Sequence, residues 1–321
     1  MEVRVLQGVL YRGWQAGLRT TWILGKVIVP ITLIVSLLKH TPVIEWIVDL
    51  FAPLMGLVGL PGEAAIVLAL GFILNLYAAI GAMFSLALTS PEILILCVML
   101  SFCHNLFVET AVAKRLGLNT LVVVAVRMGM AFLGGAALHV ALGNQVGTVA
   151  GTYTHLAYLW EMPVLTLVGE VGWTMFKAVG QLALIVIPLM MMIQVLKERK
   201  TLDRLAGKMT PLMRVLGLSE NAAIPMLAGI WFGLAYGAGV ILEASREKPM
   251  QKRELYLLMV FLVLCHAVVE DTLIFLPLGV NGWYLLAIRL LAALVVTFLL
   301  ARIWRAKKQQ AANIESSSIT S

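Results

Sequence analysis

Apolar residues run almost unbroken through Trp22–Leu38, Leu118–Leu142, Ala178–Leu196 and Trp283–Leu300. Each run is near the roughly 20 residues that cross a hydrocarbon core as a helix. Between them, Pro42–Leu60 and Lys200–Leu218 mix apolar and polar positions at helical spacing, the pattern of helices lying in a membrane interface. Gly62–Ser90 and Glu220–Ser245 are too long for one ordinary span. Each has a weak centre, Asn75 in the first and Gly233 with Gly237 in the second. Such a segment can be one tilted helix or a re-entrant hairpin, tolerated where its backbone is buried in protein or lines a cavity. Met1–Thr20 intersperses Arg4, Arg12 and Arg19 with apolar residues and lacks a compact apolar stretch before a small-residue cleavage site. It reads as an amphipathic helix at the membrane surface.

Composition agrees with a membrane chain. Of 321 residues, 61% are hydrophobic and 13% charged, against about 25% charged in soluble domains. Cys97, Cys103 and Cys265 all sit in apolar runs, and an odd count there argues against a disulfide framework. The net charge of +7 suits the Lys- and Arg-rich cytoplasmic loops of membrane proteins better than a nucleic-acid partner. No phosphate-binding loop, dinucleotide fingerprint or zinc-finger spacing is present. No nucleophile–base spacing points to an enzyme.

The most specific feature is internal repetition. At an offset of 158 residues, Pro30 falls on Pro188, Pro53-Leu54-Met55 on Pro211-Leu212-Met213, Gly71 on Gly229 and Gly81 on Gly239. A four-residue insertion near Arg246–Arg253 moves the offset to 162. Cys103-His104 then meets Cys265-His266, Glu109-Thr110 meets Asp271-Thr272, Asn119 meets Asn281 and Arg127 meets Arg289. Shared apolar composition would not align Pro, Cys-His, an acid-Thr pair and an intramembrane Arg. The predicted order is an amphipathic stretch over 1–20, repeat 1 over 8–142, an external linker over 143–165, repeat 2 over 166–304 and a disordered cytoplasmic tail over 305–321.

Charge chooses the topology. With the hairpin reading and a cytoplasmic N-terminus, each repeat crosses three times and the second copy is inverted. The cytoplasmic segments then hold 19 of the 24 Lys and Arg, and the outer segments, about 42–92, 143–170 and 273–282, hold none. An eight-span reading would place Lys114-Arg115 and the six cations of Lys197–Arg214 outside, against the positive-inside bias. The expected fold is all-α integral membrane. It has two inverted repeats, each with about three full transmembrane helices, an interfacial helix and a re-entrant hairpin, in the plasma (inner) membrane with both termini cytoplasmic. Inverted repeats of this kind mark secondary transporters, whose site lies at the repeat interface near mid-membrane.

The order of elements, with Pro-Leu-Met-x-x-x-Gly-Leu at Pro53–Leu60 and Pro211–Leu218, resembles the Gate or nucleoside-recognition domain. That domain occurs in concentrative nucleoside transporters, the membrane part of the ferrous-iron transporter B family and spore maturation proteins. The resemblance covers most of both repeats. It implies a membrane transporter or, as in the spore maturation proteins, a non-transporting assembly or partner module. The iron transporters' GTPase domain is absent, and Gly62-Glu63-Ala64 and Glu220-Asn221-Ala222 stand where a nucleoside transporter would carry a Gln-Thr/Ser-Glu signature.

Candidate chemistry gathers in Cys103–Thr110 and Cys265–Thr272. Ionisable groups within a span are costly unless paired or hydrated, and so mark function. His104 and Glu109 are five residues apart, about 140° around a continuous helix. If the helix unwinds near Asn105, freed carbonyls join the side chains. Under inversion the two His face each other across a pseudo-two-fold axis. Cys103, His104, Cys265 and His266 would suit a soft or borderline divalent metal. His104, Asn105, Glu109, His266, Glu270 and Asp271, with Asn75, Tyr77 and Tyr236, would instead bind an organic solute, Trp231 adding a further aromatic. The structural alternative has Glu109 and Asp271 neutralising Arg127 and Arg289 while each His bonds a backbone carbonyl. Met190–Met192 reads as flexible packing before a soft-metal path. His40, His139 and His155 lack repeat partners and are expected near interfaces. No resident cofactor is called; a transported divalent cation or a coupling ion fills that place. The expected partners are the bilayer, a small-molecule or ion substrate and, in a homo-oligomer, further copies of the chain, but not nucleic acid.

Overall fold

The computed structural model describes residues 3–38, 42–143, 164–198, 201–247 and 250–319. His40 and His155 lie outside them, as does most of the expected external linker. The regular structure of the described residues is all helical, without strands. Repeat 1 contains α1 (Val3–Leu38), α2 (Pro42–Gly56), α3 (Ala64–Ile73), α4 (Leu76–Ser85), α5 (Ser90–Phe102), α6 (Leu106–Arg115) and α7 (Thr120–Leu142). Repeat 2 contains α8 (Val164–Glu198), α9 (Thr201–Lys208), α10 (Thr210–Val215), α11 (Ala223–Glu247), α12 (Lys252–Leu264), α13 (Val268–Leu273) and α14 (Gly282–Ile319). Six stretches are long and apolar enough to cross a membrane: Gln7–Leu37, Ser90–Arg115, Thr120–Leu142, Val168–Met192, Lys252–Leu273 and Gly282–Arg305.

Local sequence explains the boundaries, and explains them twice. The Glu92 carboxylate accepts from the Thr89 N–H at 2.7 Å, and Glu254 from the Gln251 N–H at 3.0 Å. These are reciprocal caps at equivalent helix starts. Asn119 and Asn281 each accept, at 2.9 Å, the N–H two residues on, opening α7 and α14. Helices also break at the weak centres. α3 ends before Asn75, whose side chain accepts from the Ala78 N–H at 3.0 Å and so caps α4. α11 is interrupted at Gly233, with φ 74° and ψ 174°, a conformation only glycine adopts readily. Two expectations meet a different outline. Residues 3–20 are continuous with the first span in α1, where no Pro lies before Pro30. α14 continues beyond residue 304, through an Ala-, Lys- and Gln-rich segment of good helix formers.

The chain forms two compact units. The first comprises Met1–Val108, Arg127–Lys200 and Val269–Leu286; the second comprises Glu109–Val126, Thr201–Val268 and Ala287–Ser321. Each unit therefore takes in a segment of the other repeat, beginning within α6 or α13, just past the interruption.

In the first unit, α1 lies along α8 and α4 packs on both. Their core holds Ile28, Ala178 and Val186, with Tyr77, Phe84, Val179 and Met190 against it, so Met190 is packing. Close approach comes from a small-xxx-small pair. A Cβ on Gly13 would stand 2.5 Å from the Met191 Cα, and one on Gly17 would stand 2.8 Å from the Ile187 Cα. The clash is with backbone, so no rotamer relieves it. Gly13→Ala is expected to cost about 1–3 kcal/mol, read as a lower melting temperature of the detergent-solubilised chain. An unchanged melting temperature would mean that α1 and α8 are not in contact there.

In the second unit α11 packs on α9 and α12. His139, in the first unit, is half-buried with its ring against Gly59.

Candidate functional site

The two interrupted spans repeat each other closely. α5 stops at Cys103 and α12 at Cys265, and the turn residues Asn105 (φ 49°) and Ala267 (φ 43°) are left-handed without being glycine. Such positions cost about 1–3 kcal/mol and persist only where their surroundings hold them. Here the surroundings are specific. The Asn105 N–H donates to the Gly71 carbonyl at 2.8 Å, and the Ala267 N–H to the Gly229 carbonyl at 3.0 Å. Both glycines let a helix approach the broken span. A Cβ on Gly71 would meet Leu100 at 2.3 Å, and one on Gly229 would meet Leu262 at 2.4 Å.

Breaking a helix frees carbonyls, and buried arginines take them. Arg127, fully buried, donates from Nε to Phe102 O at 3.2 Å and from Nη2 to His104 O at 2.6 Å. Arg289, also fully buried, donates from Nη2 to His266 O at 2.6 Å. The sequence offers the acids as one alternative for partners of these guanidiniums; the bonds described here go to backbone carbonyls.

The imidazoles are held the same way. His104 Nδ1 lies 2.7 Å from Leu100 O, and His266 Nδ1 lies 2.7 Å from Leu262 O. This is the backbone bond of the structural alternative. A carbonyl only accepts, so Nδ1 carries the proton and Nε2 faces outward. In the second unit His266 Nε2 is 3.2 Å from Glu109 Oε1, both nearly inaccessible. In the first unit His104 Nε2 is 4.0 Å from Asp271 Oδ2, both nearly inaccessible. Each pair joins a His of one repeat to an acid of the other. A neutral ring would set a bare Nε2 against a carboxylate, acceptor against acceptor. The pair is favourable only with one more positive charge: a proton on either group, or a cation between them.

The first unit carries polar groups that duplication does not account for. The Tyr77 hydroxyl donates to Glu270 Oε1 at 2.5 Å, where the equivalent positions are Ala235 and Val108. Asn75 and Asn105 likewise stand opposite Gly233 and Ala267. Glu270 is buried, while Tyr77, Asn75 and Asn105 are half-buried. In the second unit the break at Gly233 abuts the other break: a Cβ there would sit 3.1 Å from Ala267 Cβ and 3.6 Å from His266 Cδ2. The thiol of Cys103 is directed to Met128 Sδ at 3.4 Å, and Cys265 is fully buried. The side chain of Tyr236 lies outside the described residues. Sequence reasoning assigned no role to the hydroxyls of Thr110 and Thr272, which are buried without a hydrogen-bond partner among the described residues. Their recurrence beside Glu109 and Asp271 was the available signal.

These features define an all-helical membrane protein made of a duplicated unit, with buried His–acid pairs at broken spans. The family model for Gate, nucleoside recognition, matches residues 21–130 and 179–281, and the chain belongs to that family. It is 44% identical over 314 residues to the uncharacterized membrane protein YvoD of Bacillus subtilis (strain 168), covering 97% of this chain and 100% of the relative. No solved structure gives a significant match.

Proposed function

We propose that this protein is a permease that moves a small solute or ion across the plasma membrane, and that it is not an enzyme. One observation carries the reading: the same His–acid pairing between repeats occurs twice, each time where a span is broken. A scaffold has no use for burying imidazole and carboxylate twice at positions that cost several kcal/mol in hydrocarbon. A solute pathway needs groups of this kind near mid-depth, at the repeat interface. The hydroxyls of Thr110 and Thr272, Asn75, Asn105 and the Tyr77–Glu270 pair add hydrogen-bonding groups for an organic solute, nucleosides included. The Nε2–carboxylate geometry of His266 and Glu109 favours the second reading, a divalent metal as cargo, since imidazole nitrogen and carboxylate oxygen both suit such ions. Uptake into proteoliposomes, nucleosides against Zn²⁺, Mn²⁺ and Fe²⁺, separates the two. Uptake of neither class above empty liposomes would favour the non-transporting partner module.

In this reading α3–α4 and the two halves of α11 are re-entrant hairpins, the repeats are inverted and both termini are cytoplasmic. Ser90 and Lys252 are equivalent repeat positions and both are exposed. In a chain freed of its three native cysteines, Ser90→Cys should react with an impermeant maleimide from outside and Lys252→Cys from inside. Labelling of both from one side would make the repeats parallel and remove the inverted model.

A further inference from the structure

The second unit contains a cluster of positive charge outside the broken stretch Cys265–Ala267. Gly217 closes the turn after α10 with φ 72°, the left-handed residue typical of a helix C-terminus. A methyl group at this glycine would stand 3.4 Å from a guanidinium nitrogen of Arg253 and 3.4 Å from one of Arg305. The two charges are thus at most twice that distance apart. Arg253 donates from Nη2 to Ala301 O at 2.9 Å, and its Nε is buried without an acceptor among the described residues. Nearby acids are already engaged. Glu254 accepts from the N–H groups of Ser219 and Gln251, and Glu220 lies 3.4 Å from Arg214. The Ser219 hydroxyl is buried without a partner among the described residues.

The cluster stands where the span Lys252–Leu273 begins and the span Gly282–Arg305 ends, at one edge of the hydrocarbon region. Tyr256 and Trp304 meet edge to face there, with centroids 6.1 Å apart, as aromatic residues do at headgroup level. The other repeat shows that the turn itself does not need these charges. At the equivalent turn Gly59 is covered by the His139 ring, and Pro91 and Gly143 occupy the positions of Arg253 and Arg305.

We infer that Arg253 and Arg305, with the Gly217 turn, form a binding site for the phosphate of an anionic phospholipid. Two convergent guanidiniums match phosphate oxygens. The glycine lets both guanidiniums close over the turn, and the aromatic pair marks the depth of the cluster. Basic pockets between spans are a known form of lipid-headgroup recognition.

The test uses the delipidated full chain in neutral detergent, titrated with phosphatidylglycerol, phosphatidylcholine or inorganic phosphate. Bound lipid is counted by native mass spectrometry and stability by melting temperature. Phosphatidylglycerol should bind and raise the melting temperature well beyond phosphatidylcholine. Arg305→Gln should weaken it at least threefold, and Arg253→Gln/Arg305→Gln at least tenfold. Lys252→Gln, an exposed neighbour, should change it less than twofold. The site is refuted if phosphatidylcholine protects equally, if the double variant binds phosphatidylglycerol like wild type, or if Lys252→Gln weakens it as much as Arg305→Gln. Protection by inorganic phosphate equal to that by phosphatidylglycerol would overturn the lipid assignment. Arg305 is exposed, so its variant should fold; should the Arg253 variant fail to fold, unchanged phosphatidylglycerol binding by Arg305→Gln alone refutes the site.

Discussion

Arg127→Leu is expected to destabilise the chain by about 3–5 kcal/mol, the cost of removing one partner from a buried charged network. The reason is local. The guanidinium serves the carbonyls of Phe102 and His104, which lost their helical donors when α5 stopped at Cys103. Leucine fills much of the volume but leaves two carbonyls bare in a low-dielectric interior, and each such group costs about 1–3 kcal/mol. Arg127→Lys should recover only part of the loss, because an ammonium lacks the fork that reaches two acceptors at once. Arg289→Leu should behave alike, through the carbonyl of His266. Melting curves in detergent check this, and a leucine variant as stable as wild type would mean that the broken spans are held by something else. A double-mutant cycle of Arg127 with Asp271, and of Arg289 with Glu109, then measures the pairing with acids expected from the sequence. Strictly additive losses would count against it.

Much of this architecture was legible without coordinates. Spans followed from hydropathy, and the repeat from matches that composition could not produce by chance. The places where helices weaken, Asn75, Gly233 and the Cys-His steps, are where the helices do break. Glycine frees φ at Gly233, and an Asn side chain can cap a new start at Asn75. The pairing was not legible. On one continuous helix His104 and Glu109 diverge by about 140°, so no periodicity connects them to anything. The break cancels that geometry, and the segment beyond it joins the unit of the other repeat, which gives His104 the acid Asp271 and His266 the acid Glu109. The use of Gly71 and Gly229 was likewise hidden. Their match was visible, but their role is to offer a carbonyl to a turn residue over 30 positions away, a contact no local rule predicts. The Tyr77–Glu270 bond has no repeat counterpart, so symmetry itself could not suggest it.

The largest functional effect is expected at the imidazoles. His104→Ala and His266→Ala should each lower uptake by at least tenfold while leaving the protein folded in the membrane. Each substitution removes the Nε2 that faces an acid but leaves the carbonyl–arginine bonds at the break intact. The lost Nδ1 bonds, to carbonyls inside α5 and α12, are worth only about 0.5–1.5 kcal/mol each. His104→Gln should rescue little, because an amide cannot hold the extra positive charge that the imidazole–carboxylate pair requires.

The measurement that bears most directly on the permease reading is therefore uptake into proteoliposomes of whichever solute the wild-type chain moves, compared with the His104→Ala/His266→Ala double variant at equal reconstitution. The reading predicts saturable uptake by wild type and none above empty liposomes by the double variant, with both proteins eluting as folded species of the same size. Uptake by the double variant equal to wild type would contradict the assignment of these pairs to the transport path.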